Sequence, residues 1–280
     1  MYKEIGTNIE KGQVIFGESM AVLRNLKSSS VDLIYIDPPQ SNNKSNAGTW
    51  LARGQSENEN RTDFLRPRLE EAYRVLAPNG SLYLHCDSQE VHYLKVLCDE
   101  IFGSHSFIND IILAYDYLEA SSEEEQAWFY DDEGNAKWSV RHENILFYAK
   151  DPKNYIFNFD NIEREPFMAP NMITASPSVK GVWLSDTWWQ TTECVICQKK
   201  TEFATRTPLS VLTRILTASS NPGDLVLDFF AGSGTTGEAA YLLKRQFILV
   251  DNNLEALKRM DTRFPPIGIK FVGYEKTFPF

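Results

Sequence analysis

The sequence predicts an α/β fold built on a doubly wound, mostly parallel sheet, with a region inserted between its two halves. Three observations carry this. Short apolar runs rich in β-branched residues at 31–36, 225–229 and 247–250 suit strands buried on both faces. A glycine-rich loop that opens a helix separates the last two, giving the strand, loop, helix, strand order of a nucleotide-type site. Between about 116 and 200 the periodicity fails, which marks the insertion.

Taken in order, the run VDLIYI at 31–36 is apolar apart from Asp32. The Asp37-Pro38-Pro39 that follows must leave regular structure, because proline fixes φ and lacks a donor. Residues 64–76 are expected to form an amphipathic helix and 81–85 a strand, with Pro78, Asn79 and Gly80 as the turn between them. A second helix over 89–102 stops at Gly103, and 111–115 and 144–149 are further strands. Between these two lies an acidic, aromatic segment that includes Glu123, Glu124, Glu125 and Trp128, most simply a solvated loop. Regular order returns with a helix from Pro208 to about 219, the turn Asn221 to Asp224, the strand 225–229, a helix from Thr235 and the strand 247–250 ending at Asp251. There is no internal repeat, which excludes a solenoid.

A chain of 280 residues with 42% apolar and 24% charged residues is expected to fold as one globular domain over 1–280, with 116–200 as the insertion within it. No apolar run is long enough to span a bilayer and the first residues lack a secretory core, so no membrane association is expected. Four cysteines, Cys86, Cys98, Cys194 and Cys197, are too few for a disulfide framework, and free thiols in the cytoplasm are expected. Cys194 and Cys197 form a single CxxC with no second pair nearby, so no metal is expected. The formal charge of -10 weighs against a nucleic-acid ligand unless one face is locally basic.

In VLDFFAGSGTTGEAA, Asp228 falls near the strand end, Gly232 and Gly234 shape the loop, and the helix starts near Thr235. Small residues there let the backbone pass beneath a nucleoside-like cofactor, and Asp251, ending the next strand, is placed to take both ribose hydroxyls. NAD is the rival ligand. It is disfavoured here because Thr235 and Thr236 follow Gly234 before the next glycine, Gly237.

DFFAGSGTT resembles the cofactor-binding motif of bacterial amino-methyltransferases of DNA, and Asp37-Pro38-Pro39 resembles their catalytic motif. The catalytic motif precedes the cofactor motif, as in the circularly permuted β group, and the resemblance runs from about Gln13 to Arg263. It implies a Rossmann-like fold that binds S-adenosyl-L-methionine and acts on double-stranded DNA, as type II or type III modification enzymes do. Homodimerisation and a restriction partner are left open. The resemblance further implies that Asp228, Phe230, Gly232 and Gly234 shape the methionine part of the site and that Asp251 and Asn252 hold the ribose. Glu18, in IFGES, matches an acidic position near the adenine, and the hydroxyls of Thr235 and Thr236 are expected to cap the helix.

An exocyclic amine is a poor nucleophile because its lone pair is delocalised into the ring. A carboxylate from Asp37 and the carbonyl of Pro38, accepting its two hydrogens, would localise that lone pair, and Pro39 stiffens the loop that aims both acceptors. The target base must first leave the helix stack. Where the family usually places an aromatic residue to stack on that base, this chain has Gln40. At Thr205-Arg206-Thr207-Pro208-Leu209 it has Thr207 where the family has a lysine near the cofactor carboxylate. Trp188 and Trp189 are read as core residues before base-stacking ones, and Arg141 and His142 as solvent-facing. The reading is methyl transfer to adenine N6, since Asp at the first motif position is typical of adenine enzymes. The alternatives are cytosine N4, RNA or a protein amide as substrate, and a catalytically degenerate binding homologue.

Overall fold

The computed structural model describes residues 10–39, 61–115, 129–130, 134–162, 183–190, 207–264 and 268–274. In chain order their elements are β1 (Gly12–Phe16), α1 (Ser19–Leu23), β2 (Val31–Ile36), α2 (Arg61–Val75), β3 (Leu76–Asp87), α3 (Val91–Phe102), β4 (Phe107–Tyr115) and β5 (His142–Ala149). There follow β6 (Thr187–Gln190), α4 (Leu209–Ser219), β7 (Leu225–Asp228), α5 (Thr235–Leu242), β8 (Gln246–Asp251), α6 (Leu254–Arg263) and β9 (Ile269–Val272).

The strands form one sheet in the order β6-β4-β5-β3-β2-β7-β8-β1-β9. Every pairing is parallel except those of β5, which runs against both β3 and β4. Buried on both faces, these strands are apolar at consecutive positions, and the period of two divides their side chains between two cores. One face carries Ile15, Ile34, Ile36, Leu82, Leu84, Leu227, Ile248 and Val250 under helices α1, α2 and α3. The other carries Val14, Leu33, Tyr35, Tyr83, Val226, Phe247 and Leu249 under α4, α5 and α6. The first half of the chain thus covers one face and the second half the other.

The chain reverses direction across the sheet between β2 and β7. From β2 it crosses through α2 to the neighbour β3, and from β7 it crosses through α5 to the neighbour β8 on the opposite side. The carboxyl ends of β2 and β7 therefore flank the switch point, the place where sheets of this kind bind ligands.

Two local features differ from the sequence expectation. Pro78, Asn79 and Gly80 do not separate α2 from β3 as a turn; they lie inside β3, whose register with β2 jumps from Val31↔Leu76 to Leu33↔Ser81. Gly80 fits because a Cβ there would lie 2.8 Å from the Asp32 carbonyl. α2 begins earlier than expected and includes Pro67; the Arg68 side chain donates from Nη1 to the Phe64 carbonyl at 2.6 Å, beside the break that proline makes in the helical ladder.

Within 116–200, β5 is a full member of the sheet and β6 its edge strand. Among the described residues, no helix is long and apolar enough to cross a membrane.

Candidate active site

Four acidic residues stand at the carboxyl ends of four neighbouring parallel strands. Asp37 follows β2, Asp228 ends β7, Asp251 ends β8, and Glu18 lies just beyond β1. Continuing each strand's alternation puts Asp37 in step with Leu33 and Tyr35, Asp228 with Val226, and Asp251 with Phe247 and Leu249. The first three acids therefore share the face covered by α4, α5 and α6.

Asp228 is almost fully buried. Its Oδ1 accepts from the Phe230 amide at 3.0 Å and its Oδ2 from the Thr236 hydroxyl at 2.6 Å. Burial pushes its carboxyl up, those two donors oppose the shift, and the nearby charges of Asp37 and Asp251 add to it, leaving it at about 7. Asp251 fixes the loop: its Oδ2 accepts from the Gly232 amide at 2.9 Å and its Oδ1 from the Asn253 amide at 2.7 Å. Asn252, between them, is partly exposed.

The glycines of the loop serve different ends. Among the described residues, a Cβ on Gly232, where φ is +50°, would meet only the Phe230 carbonyl, at 4.0 Å, so they leave open space beside this glycine. On Gly234, at φ +80°, it would fall 2.7 Å from Met260 Cγ, and on Gly237 it would fall 2.6 Å from Leu249 Cδ1. Those two positions let α5 lie close to α6 and to β8.

Glu18 is anchored rather than loose. Its Oε2 accepts from the Ala21 amide at 3.0 Å, capping α1, and its Oε1 takes Arg68 Nη2 at 2.6 Å. Burial raises its carboxyl, but the Met20 and Ala21 amides and Arg68 outweigh that and hold it below the usual range. Arg68 in turn lies 3.5 Å above the Phe64 ring, and Phe64 packs against Phe230 of the glycine-rich loop at 6.2 Å between centroids.

Beneath Asp37 lies a polar cluster in the apolar core. The register Tyr35↔Tyr83 between β2 and β3 sets Asp37 beside His85 on the same face. His85 is 2% exposed; its Nε2 lies 2.9 Å from Glu143 Oε2 on β5, and its Nδ1 lies 2.9 Å from the Tyr35 hydroxyl and 3.6 Å from Asp37 Oδ2. Thr207, from the segment leading into α4, donates to Asp37 Oδ2 at 3.3 Å and meets the Tyr35 hydroxyl at 3.1 Å. Burial pushes His85 down, but the carboxylates of Asp37 and Glu143 prevail and raise it to about 9. Tyr35 is pushed well above its ordinary value by burial and by the neighbouring carboxylates.

The DNA methylase family profile matches residues 31–261 of the chain. The chain belongs to the DNA methylase family. It is 31% identical to the type II methyltransferase M.HpaI of Haemophilus parainfluenzae, over 90% of this chain and 75% of that protein. It is 30% identical to the DNA adenine methyltransferase YhdJ of Escherichia coli K12, over 89% of this chain and 81% of that one. The crystal structure of the M1.HpyAVI–SAM complex shares the fold at a TM-score of 0.55 and 20% identity, covering 90% of this chain and 100% of that one.

In this DNA methylase the doubly wound α/β sheet expected from sequence is present, and its switch point brings Asp37, Pro38, Asp228, Phe230, Gly232 and Asp251 to one end of the sheet. Pro38 is buried, and Asp37 and Pro39 are partly exposed. Several expectations need correction. Thr235 and Thr236 do not cap α5, whose N-cap is Gly234 without a side-chain bond. Thr236 instead donates to Asp228, and Thr235 contacts Ser233 and accepts from Arg263. Thr207, expected at the cofactor carboxylate, contacts Asp37 and Tyr35. Gly237 stands at the third position of the GxGxxG spacing and packs as that glycine does, so the glycines alone do not separate NAD from S-adenosylmethionine. Trp188 is buried beneath the Arg214 guanidinium, whereas Trp189 is half exposed. Arg141 and His142 are partly buried rather than fully solvent-facing.

Gln40, Arg206, Cys194, Cys197 and the acidic run at 123–125 lie outside the described residues. Sequence reasoning missed His85, Glu143 and Arg68. The first had a readable signal: Tyr-x-Asp ends one buried strand and Tyr-x-His ends the next, which puts the acid and the histidine in step.

Proposed function

We propose that this DNA methylase transfers the methyl group of S-adenosylmethionine to the N6 amine of adenine in double-stranded DNA. The observation that carries the reading is the position of Asp37 at the carboxyl end of β2, across the switch point from the acidic, glycine-lined end of β7 and β8. S-adenosylmethionine fits that end. Asp37, Asp228 and Asp251 gather negative charge there, which suits a positively charged sulfonium; burial first, and then the charges of Asp37 and Asp251, raise the Asp228 carboxyl. Gly232 leaves open space at that end. When bound, S-adenosylmethionine supplies an electrophilic methyl group on a positively charged sulfur.

The chain's own part is binding and orientation. Asp251, which holds the Gly232 and Asn253 amides at the end of β8, is the carboxylate placed to accept from ribose hydroxyls. Phe230, braced by Phe64, forms an apolar wall. Asp37 and the Pro38 carbonyl accept the two amine hydrogens of the target base and turn its lone pair toward the methyl group. Adenine is favoured over cytosine by the aspartate at the first motif position, and YhdJ, a relative, is named an adenine methyltransferase. The similarity to M.HpaI supports a restriction-modification setting. Target recognition is assigned to the segments of 116–200 outside β5 and β6.

The test is tritiated methyl transfer from S-adenosylmethionine to unmethylated genomic DNA, followed by nucleoside analysis, for the wild type and Asp37→Ala. Label in N6-methyladenine that the substitution abolishes is expected. Label in N4-methylcytosine would transfer the reading to the other base, and no label from protein that binds the cofactor by calorimetry would overturn it.

A further inference from the structure

We propose that His85 is a buried imidazolium that positions the Asp37 carboxylate and supplies its counter-charge, so that Asp37 meets the target amine as a fixed, proton-accepting anion. The inference rests on the reading of Asp37 given above and extends it to a residue that lies behind the reacting groups.

Proton accounting carries the argument. With Asp37 ionised, the one hydrogen of the Thr207 hydroxyl goes to its Oδ2 at 3.3 Å. The Tyr35 hydroxyl, 3.1 Å from Thr207 Oγ1, must therefore be the donor in that contact. With its only hydrogen spent, Tyr35 must accept from His85 Nδ1 at 2.9 Å. On the other side of the ring, an ionised Glu143 accepts from Nε2 at 2.9 Å. Both ring nitrogens then carry hydrogen, and the ring is a cation. The balance of burial against the Asp37 and Glu143 charges, which leaves His85 at about 9, agrees with this count. The groups facing the ring come from every adjoining element: Tyr35 and Asp37 from β2 and its end, Glu143 from β5, and Thr207 from the approach to α4.

The chemistry explains why such a group belongs there. Asp37 shares its end of the sheet with Asp228 and Asp251, and a crowded cluster of carboxylates favours protonating its members. A protonated Asp37 oxygen would present a hydrogen to the amine instead of a lone pair. The cation 3.6 Å from Oδ2 opposes that, and the Tyr35–Thr207 path fixes the orientation of the carboxylate.

The chain has four histidines, so ring NMR of histidine-labelled full-length protein, assigned by loss of a signal in His85→Gln, can follow each one. His85 is expected to be doubly protonated at roughly pH 8, where an ordinary histidine is neutral. Its midpoint should fall in Asp37→Asn. A neutral His85 at that pH, or a midpoint unmoved by Asp37→Asn, would overturn the proposal without any need for an active variant. In methyl transfer, His85→Gln is expected to lower kcat about 10- to 100-fold, as loss of an orienting partner does, and to leave the KM for S-adenosylmethionine within about twofold. Wild-type kcat should decline as pH rises through about 9, and the His85→Gln profile should lack that limb. Wild-type kcat in folded His85→Gln would sink the proposal while leaving Asp37 in place. Full activity in Asp37→Asn would instead sink the reading of Asp37 itself.

Discussion

Tyr35 and His85, fifty residues apart on neighbouring parallel strands, are joined by a hydrogen bond of 2.9 Å in the floor of the site. The bond sits one step behind Asp37, so the strand register itself aligns the catalytic loop with its support. Tyr35→Phe removes one oxygen from a buried, otherwise unchanged ring. It strands a hydrogen on His85 Nδ1 and a lone pair on Thr207, which is expected to cost about 1–3 kcal/mol in urea denaturation. If Tyr35 relays orientation to Asp37, kcat also falls several-fold while cofactor affinity is retained. A variant as active as the wild type would show that Asp37 is held without it.

Gly232 in the loop and Gly237 in α5 should separate in experiment. Gly237→Ala drives a Cβ to 2.6 Å from Leu249, between packed layers, and should cost about 1–3 kcal/mol with cofactor affinity nearly intact in the folded fraction. Gly232→Ala places its methyl in open space at φ +50°, so its stability cost is about 1 kcal/mol. Its effect should be on S-adenosylmethionine, whose calorimetric Kd is expected to rise about tenfold or more, a loss near 1.4 kcal/mol. Equal loss of stability and unchanged affinity in both variants would show that the space beside Gly232 is not the cofactor's.

The sequence reveals the sheet where local pattern suffices. The buried runs ending at Ile36, Asp228 and Asp251 are apolar apart from Asp32, with prolines after the first and a glycine-rich loop after the second, so the strands and the acids at their ends are readable in one dimension. What is lost is whatever depends on register or on a partner far along the chain. Pro78-Asn79-Gly80 has turn chemistry, yet the parallel neighbour β2 absorbs it as an irregularity inside β3. Thr235 and Thr236 have capping chemistry, yet the buried Asp228 carboxylate competes for the Thr236 hydroxyl. Glu143 reads as one more acid at the start of an antiparallel strand, until pairing brings it to His85.

Asp228 makes cofactor binding depend on pH. With the folded carboxyl at about 7, it is largely protonated below neutrality and ionised above, and a cationic ligand favours the ionised form. Affinity for S-adenosylmethionine should therefore rise as pH increases through about 7, and binding near neutrality should release a proton, measurable as a buffer-dependent calorimetric enthalpy. The groups that set this behaviour are Asp37, Asp251, the Thr236 hydroxyl and the Phe230 amide. Asp228→Asn should bind more weakly with a flatter profile. An affinity independent of pH from about 6 to 8 in the wild type would place the cofactor's charge elsewhere.

Stability of the unliganded protein should carry two pH signatures, both declining as pH rises. Asp228 has a folded value of about 7, well above its ordinary value of 3.8, so its contribution is complete below about 4 and is lost as pH passes through 7. His85 has a folded value of about 9 against 6.5, so the stability from its charge is complete below about 6.5 and is lost as pH passes through 9. The two steps have different sources: burial, reinforced by Asp37 and Asp251, keeps a proton on Asp228, whereas the carboxylates of Asp37 and Glu143 keep a positive charge on His85. Urea denaturation across this range should show the upper step disappear in His85→Gln and the lower one in Asp228→Asn. Saturating S-adenosylmethionine, by favouring ionised Asp228, should stabilise the protein more at about pH 8 than at about pH 6. Equal stabilisation at both would separate the raised carboxyl from cofactor binding.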